Sequence, residues 1–429
     1  MSGAVKSNVF GSSGTVAAAA GGLKWESVVT ASTVTVESNR GYFVNTTSNA
    51  CTVTLPASPS VGDQVILLDY ARTWDTNAVT IDSNGNDFQG DPDTYTVDYD
   101  TEGQGINIVF SGSTNGWIPN SDIANAFDHT APPTQRAIFA YGDSTANDDF
   151  VSLKNLVNSS GVVAADVTGV GTARGALGAA GYGGDKAIFA YGTTASVSSL
   201  SNLVNNAGVV AADVSGVGTA RSFPGSANYG GDKAIFAYGY TGSGRTAVSN
   251  LISNLGVVAS DVSGVGIVRT GPSAASYGST GQAIFAFGAN DAGDMISISN
   301  LVTNLGVISS DITGVGTARY QMAAASYGGD KAIYAFGYLQ GSSARVNTKN
   351  LVSNSGVVAS DASGVGTARR MLAAAGYGGD KALFAYGQIS GALSSLKNLV
   401  SNSGVVASDV TGVGTARLSI AAAGYSSSA

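Results

Sequence analysis

An aspartate recurs once in every copy of a repeated sequence in this chain, always eight residues before an arginine. A ring of such carboxylates has the chemistry to hold a cation. An active site, however, depends on a few groups that differ from their repeats, whereas this aspartate is present in each copy. We therefore predict a structural role, in which each carboxylate caps a turn or pairs with a basic side chain. The six are Asp166, Asp213, Asp261, Asp311, Asp361 and Asp409.

An asparagine recurs with the same regularity, and its repetition also favours a structural role. We expect each side-chain amide to satisfy backbone groups where the third strand of a repeat begins. These residues are Asn155, Asn202, Asn250, Asn300, Asn350 and Asn398.

Groups suited to catalysis are scarce. His129 is the only histidine, and it lies in residues 125–135 beside two prolines, where we expect a solvated linker. No cluster of histidine and cysteine is available for zinc, and a linker histidine cannot complete a Ser-His-Asp set. Residues 82–93 have the composition of a calcium loop but lack its final glutamate, which leaves an adventitious calcium ion as the alternative. We predict no enzymatic activity, no catalytic residue, no metal site and no cofactor.

The charge pattern bears on possible partners. The formal net charge is −8, and lysine and arginine form no clusters, so we expect no nucleic-acid partner. Residues 1–22 contain one lysine and no apolar core run, unlike a secretory signal. The alanine run 17–20 is too short to span a bilayer, so membrane insertion is not expected.

Six copies of one sequence unit position the recurring aspartates. Their arginines stand 47 to 50 residues apart, a period typical of β-propellers. In the last full copy we predict four strands, at residues 373–377, 381–387, 396–404 and 405–414, because short apolar runs end at Gly, Asn or Asp. The first strand is rich in alanine, which suits the crowding near a central axis. The six repeat arginines are Arg174, Arg221, Arg269, Arg319, Arg369 and Arg417.

The two ends of the repeat array complement each other. The first copy begins in its second strand, at Ala137, and the chain ends with a surplus first strand at residues 421–425. Pairing of these two strands would complete the first copy and leave no exposed edge. The sequence therefore predicts an all-β chain: a small N-terminal β-sandwich-like domain, then a six-bladed β-propeller of four-stranded blades closed by the C-terminal strand. The predicted boundaries are 1–22 (attachment segment), 23–122 (sandwich), 123–135 (linker) and 136–429 (propeller).

Two connections of each repeat differ among the copies, while the other turns are nearly constant. They are the link from second to third strand and the link after the repeat arginine, which emerge on the same face of a four-stranded blade. Large side chains in these otherwise small and polar loops are typical of a recognition surface; neutral drift is the alternative. The predicted ligand-binding residues are Phe150, Tyr240, Arg245, Met295, Tyr320, Tyr338, Arg345 and Arg370.

The repeat resembles a kelch-type blade, as in galactose-oxidase-like propellers. The shared features are the spacing from Arg369 to Ala373 and an aromatic second strand that ends with Tyr386 and Gly387. The chain departs from that pattern in lacking a Gly-Gly pair after the second strand and in having no Trp in the repeats. The resemblance therefore concerns fold and strand order and transfers no activity.

A second resemblance concerns the region from Trp25 to Ile118, which contains all three tryptophans. The alternating runs at residues 52–55 and 107–110 predict half-buried strands of a small sandwich. This region is similar to a module of tail-fibre and virion structural proteins of tailed phages, and the GVVASDVTGVGTAR repeat also looks like phage fibre sequence.

The resemblances imply a virion fibre or receptor-binding protein on the particle surface. The N-terminal region would contact other virion proteins and form a homo-oligomer, expected to be a trimer, and the propeller would bind a host-surface glycan or protein. The alternatives are a purely structural fibre or decoration protein and a glycan-degrading enzyme built on a propeller.

Overall fold

The computed structural model describes residues 23–93, 97–120, 134–145, 147–342 and 344–427. These residues form strands and turns without a helix, so the prediction of an all-β chain is confirmed, and none of them belongs to a membrane-spanning helix. The chain divides into two compact units, residues 1–132 and 133–429. The predicted attachment segment 1–22, His129 and all but the last two residues of the predicted linker 123–135 lie outside the described residues.

The described part of the N-terminal unit contains nine strands in two sheets. They are β1 (Lys24–Trp25), β2 (Thr33–Thr35), β3 (Arg40–Val44), β4 (Cys51–Thr54), β5 (Gln64–Asp69), β6 (Val79–Asp82), β7 (Val97–Tyr99), β8 (Gly105–Phe110) and β9 (Trp117–Pro119). The sheet orders are β1-β3-β5-β8-β9 and β2-β4-β6-β7. Strands β1 to β6 alternate between the sheets and pair in parallel within each. Apolar alternation did not reveal this, because its period is the same in parallel and antiparallel strands.

The two sheets of this unit share one hydrophobic core. In β4, Cys51 and Val53 are buried while Thr52 and Thr54 are partly exposed, which confirms the predicted half-buried strand. Trp74 and Trp117 are fully buried in the same core. Burial also raises the pKa of the Cys51 thiol.

The described residues of the second unit form six three-stranded sheets and two short ribbons. Its strands are β10 (Gln135–Ala140), β11 (Lys154–Val157), β12 (Gly178–Tyr182), β13 (Lys186–Ala190), β14 (Ser201–Val204), β15 (Gly225–Tyr229), β16 (Lys233–Tyr240), β17 (Arg245–Ile252), β18 (Arg269–Thr270), β19 (Ser273–Tyr277), β20 (Gln282–Ala286), β21 (Ala289–Asn290), β22 (Ser299–Val302), β23 (Ala323–Tyr327), β24 (Lys331–Ala335), β25 (Lys349–Val352), β26 (Ala373–Tyr377), β27 (Lys381–Ala385), β28 (Gln388–Ile389), β29 (Ala392–Leu393), β30 (Lys397–Val400) and β31 (Ala421–Ser426).

Each three-stranded sheet contains the predicted first, second and third strands of one repeat, as in β26-β27-β30. The predicted fourth strand is not regular: residues 405–414 make only two isolated bridges to β30, through Val406 and Val410. A side chain interrupts the ladder, because the Asn398 amide donates to the carbonyl oxygen of Ala407 at 3.0 Å. The prediction of four-stranded sheets was therefore wrong for the outermost segment.

The second and third strands also end earlier than predicted, at Ala385 instead of Gly387 and at Val400 instead of residue 404. Tyr386 has a φ of 64°, a left-handed conformation that a bulky residue rarely adopts and that breaks the strand. Its N–H bonds to the carbonyl oxygen of Leu396, and its hydroxyl donates to the carbonyl oxygen of Val413 at 3.1 Å. The aromatic residues at the same position in the other repeats, Tyr141, Tyr191, Tyr238, Phe287 and Phe336, have φ between 63° and 66°.

The C-terminal strand completes the first sheet, whose order is β11-β10-β31. Ala421 pairs with Ala140 and Gly424 pairs with Ala137 in an antiparallel ladder, so the predicted pairing of the two chain regions is confirmed.

The first strands of the six repeats contact one another in chain order: β31 with β12, then β15, β19, β23 and β26, and β26 again with β31. Residues from all six line a shared cavity of about 170 Å³. The small side chains of these strands permit the close approach, as the sequence predicted. The residues that line this cavity at one equivalent position of each first strand are Gly181, Asn228, Ser276, Ser326, Gly376 and Gly424.

Candidate functional site

The repeat arginines connect each repeat to the next one. All six side chains are fully buried. The Arg369 guanidinium donates to Asn398 Oδ1 at 2.6 Å, although Asn398 belongs to the following repeat, and it covers the Phe336 ring at 4.5 Å. Burial lowers the pKa of Arg369 to about 10, and the charge of Asp409 opposes this shift. The Arg417 guanidinium donates to Asn155 of the first repeat in the same way, so the junction between the chain ends repeats the others.

The recurring aspartates belong to the same junctions. Asp213 accepts hydrogen bonds from Asn202 Nδ2 at 2.9 Å and from the Thr172 hydroxyl at 2.6 Å, and it lies 3.8 Å from the Arg174 guanidinium. Partial burial raises the pKa of Asp213, but the bonds from Thr172 and Asn202 and the charge of Arg174 outweigh it, so the pKa lies below its ordinary value. The predicted structural role of this carboxylate is confirmed.

The asparagines have a larger role than the sequence suggested. Asn202 Nδ2 donates to the carbonyl oxygen of Ala211 at 3.0 Å, so the expected contact with the backbone is present. Its Oδ1 also accepts from Arg174, at 2.7 Å. The period of the sequence identifies the recurring arginine and asparagine, but it does not show that each arginine bonds to the asparagine of the following repeat. With these groups engaged in the junctions, the constant residues of the repeat form a scaffold.

The two variable connections of each repeat lie side by side. In every copy the residue after the repeat arginine forms a bridge with the residue two positions after the left-handed aromatic residue described above. These pairs are Gly175 with Thr193, Ser222 with Tyr240, Thr270 with Ala289, Tyr320 with Tyr338, Arg370 with Gln388, and Leu418 with Asp143. We call this set of paired connections the variable edge.

One part of the variable edge is more constrained than its sequence suggests. The second residue after each repeat arginine has a φ between 50° and 59°, and the third is apolar in every copy. The third residues, Leu177, Pro224, Pro272, Met322, Leu372 and Ile420, line one cavity of about 100 Å³. The backbone conformation and the apolar third residue of this link are therefore constant, while the side chains at its first two positions vary and include Tyr320, Arg370 and Phe223.

Three of the predicted ligand-binding side chains form one cluster at the variable edge. Arg370 lies over the Tyr338 ring, with its guanidinium carbon 5.0 Å from the ring centroid. Arg370 Nε and Arg345 Nη2 both donate to Gln388 Oε1, at 2.9 and 3.0 Å. All four side chains are partly exposed. We call Tyr338, Arg345, Arg370 and Gln388 the arginine cluster.

Phe150 and Tyr320 lie next to this cluster. Phe150 and Arg370 line the same cavity of about 230 Å³, together with Gln388 and Phe223. Tyr320 forms backbone hydrogen bonds with Tyr338, and its ring lies 6.3 Å from that of Phe223. Five of the eight predicted residues are thus brought to one region.

The other three predicted residues have different partners. The Tyr240 hydroxyl donates to the carbonyl oxygen of Gly242 within the same loop. Arg245 Nη1 donates to the carbonyl oxygen of Asp291 at 3.1 Å and lies 3.7 Å from its carboxylate. Met295 is held through its backbone N–H, which donates to Gln340 Oε1 at 2.8 Å.

Sequence reasoning missed Gln388 and Phe223. Both lie in variable connections, but the prediction selected individual large side chains and did not consider which loop positions pair. The sequence contains part of the information needed to find Gln388. This residue stands two positions after Tyr386, and the residue at that position forms a bridge in every repeat.

Among the described residues, no group of three or more His, Cys, Asp or Glu side chains is arranged to hold a metal ion. The carboxylates of the predicted calcium-like segment bond within the unit: Asp93 accepts from the Ser83 hydroxyl and the Gly85 N–H, and Asp82 from Thr54. No protein-family model matches the chain, and no curated protein shows significant similarity to it.

Proposed function

We propose that residues 136–429 form a six-bladed β-propeller closed by the C-terminal strand. The cyclic order of contacts among the first strands supports this arrangement, as does the shared cavity that they line. The Arg–Asn bond recurs at every junction, including that between the sixth and first repeats. Closure would remove free sheet edges, which would otherwise favour aggregation.

The propeller serves as a recognition module, and its variable edge binds the ligand. One observation carries this proposal: the connections that differ among six otherwise similar repeats are paired at one edge, where aromatic and arginine side chains border a cavity. Binding residues are commonly found on loops held by a rigid scaffold, and Tyr and Arg are enriched among the residues that contribute most to binding.

The protein acts as a phage virion fibre or receptor-binding protein that presents this edge to a host-surface glycan or protein. The resemblance of the N-terminal module and of the repeat to phage fibre sequences supports this assignment. The N-terminal region would contact other virion proteins and form the homo-oligomer, and the protein would reside on the particle surface.

The proposal is tested with the full chain on an array of bacterial surface glycans. A variant with both Tyr338→Ala and Arg345→Ala should lose about thirty-fold or more in affinity, because removing anchors of this kind costs about 2 kcal/mol or more. Its melting temperature should change little, since both side chains are partly exposed. The control is Lys331→Ala, at the constant turn after a first strand, where the lysine pairs only with the neighbouring Asp330.

Equal affinities of the loop variant and the control would contradict a binding role for the variable edge. If the array retains no protein at all, recognition of glycans fails, and a protein receptor or a purely structural fibre remains. Electron microscopy of particles labelled on the repeat unit tests the virion assignment separately, because a non-virion protein leaves particles unlabelled.

A further inference from the structure

The arginine cluster places two positive charges on one neutral oxygen. Gln388 Oε1 accepts from Arg370 at 2.9 Å and from Arg345 at 3.0 Å, and the Gln388 backbone oxygen accepts a further bond from Arg345 Nε at 3.2 Å. Guanidinium groups form their strongest bonds with ionised carboxylates, and the amide has the same planar oxygen without the charge.

Neither guanidinium of the cluster has a carboxylate within 4.0 Å among the described residues. Arg245 provides the contrast at the same edge, because it lies 3.7 Å from the Asp291 carboxylate. Burial, and then the charge of Arg345, lowers the pKa of Arg370, while the neighbouring Tyr338 and Tyr320 oppose the shift.

We infer that Arg345 and Arg370 form a subsite for the carboxylate group of an acidic saccharide, which takes the place of the Gln388 amide oxygen between the two guanidinium groups. This inference rests on the proposed recognition function and specifies the chemistry of its ligand.

The surroundings of the cluster favour a saccharide over a small inorganic anion. Arg370 and Gln388 line the cavity of about 230 Å³ together with the Phe150 ring, which provides an apolar surface for the C–H face of a sugar. Asp143 and Asp148 line the same cavity. Asp143 already accepts hydrogen bonds from backbone N–H groups of its own loop, but the exposed Asp148 carboxylate can accept one from a sugar hydroxyl. A ligand with one carboxylate and several hydroxyl groups therefore matches the cavity.

The test compares an oligosaccharide that carries a single galacturonic acid residue with its methyl ester, which keeps the sugar and removes the charge. Isothermal titration calorimetry with the full chain should show binding of the acid and at least about tenfold weaker binding of the ester. Arg345→Gln and Arg370→Gln should each weaken binding of the acid by about tenfold or more. Lys331→Gln removes one charge at the constant turn and should leave the affinity unchanged.

The Gln388→Glu variant gives the decisive comparison. It supplies an internal carboxylate at the same position, so it should keep or raise the melting temperature while it abolishes binding of the acid. Equal binding of acid and ester, no binding of the acid, or unchanged binding by Gln388→Glu would each overturn the inference. A neutral glycan that depends on Tyr338 but on neither arginine would overturn the carboxylate subsite and keep the proposed recognition function.

Discussion

The ammonium group of Lys397 donates a hydrogen bond to the carbonyl oxygen of Gly161 at 2.9 Å, across 236 residues of sequence. The lysine belongs to the last repeat and the glycine to the first. Lys397 is 8% exposed, and burial lowers its pKa. A single side chain thus spans the junction between the two ends of the repeat unit.

Replacing Lys397 with methionine should destabilise this junction. The variant keeps an apolar side chain of similar length but leaves the Gly161 carbonyl without its donor, which costs about 1 to 3 kcal/mol. Chemical denaturation followed by circular dichroism measures the change. Lys381→Met is the control, since that lysine is exposed and pairs only with the adjacent Asp380, so its loss should stay within about 0.5 kcal/mol. Equal effects of the two variants would show that the Lys397 bond contributes nothing.

Two glycines with the same backbone conformation allow the crowding at the Asn–Asp junction to be measured. Gly171 has a φ of 82°, and a Cβ there would stand 2.4 Å from Asp213 Oδ1 and 2.5 Å from Asn202 Nδ2. Gly184 has a φ of 79°, with open space where the Cβ would stand. Both alanine variants bear the cost of a left-handed alanine, about 1 to 2 kcal/mol. Gly171→Ala should lose further stability because it displaces the Asn202–Asp213 bond.

If the free energies of unfolding of the two glycine variants fall by the same amount, the junction has room to relax and the close packing is not required.

Acid should destabilise the repeat unit through its junction carboxylates. The pKa of Asp213 in the folded protein lies below its ordinary value, so the unfolded chain binds more protons between the two pKa values. The stabilisation is complete above the unfolded value of about 3.9 and is lost as the pH falls through the folded value. Asp166, Asp261, Asp361 and Asp409 have pKa values shifted in the same direction.

The Asp213→Asn variant tests this pH dependence. Denaturation at pH 7 should show it less stable than the parent. The difference should be smaller at pH 3, because this pH lies below the unfolded pKa of about 3.9 and the unfolded parent chain then takes up a proton. A difference that is the same at both pH values would mean that the charge of Asp213 does not stabilise the junction.

Deleting residues 418–429 should destabilise the repeat unit strongly, because β10 then loses its antiparallel partner. A large fall in melting temperature by circular dichroism, or aggregation through the exposed strand edge, is expected. Tryptophan fluorescence is the internal control, since all three tryptophans lie in the N-terminal unit and their signal should change little. A truncated chain that melts at the parent temperature would contradict the proposed closed propeller.

The repeat could be predicted in detail, because six copies in one chain show which positions are constant. The order of the first three strands, the range Ala373–Tyr377 of the first strand and the pairing of residues 421–425 with Ala137 followed from the period and from turn residues, whereas the ends of the second and third strands did not. The irregular outer segment could not be predicted, since its apolar spacing resembles a strand. Only the structure shows that the Asn398 side-chain amide donates a hydrogen bond to the carbonyl oxygen of Ala407 within this segment.

The candidate site was less accessible to sequence reasoning. Tyr338, Arg345 and Arg370 were identified by their size in otherwise small-residue loops, but their convergence depends on which loop positions pair. Gln388 became apparent only through its two guanidinium donors. Contacts between residues of successive repeats leave no mark in the sequence of a single repeat.

The junction between the last and first repeats also bears on how the chain order can vary. Ser427 N–H donates to the carbonyl oxygen of Thr134 at 3.0 Å, so the two ends of the repeat unit lie side by side. The bonds between successive repeats recur across that junction. A circular permutant that joins these ends by a short linker and opens the chain at the exposed Gly329, which has no atom near its Cβ position, would preserve every contact between repeats. The contacts between repeats therefore do not depend on where in the repeat unit the chain begins and ends.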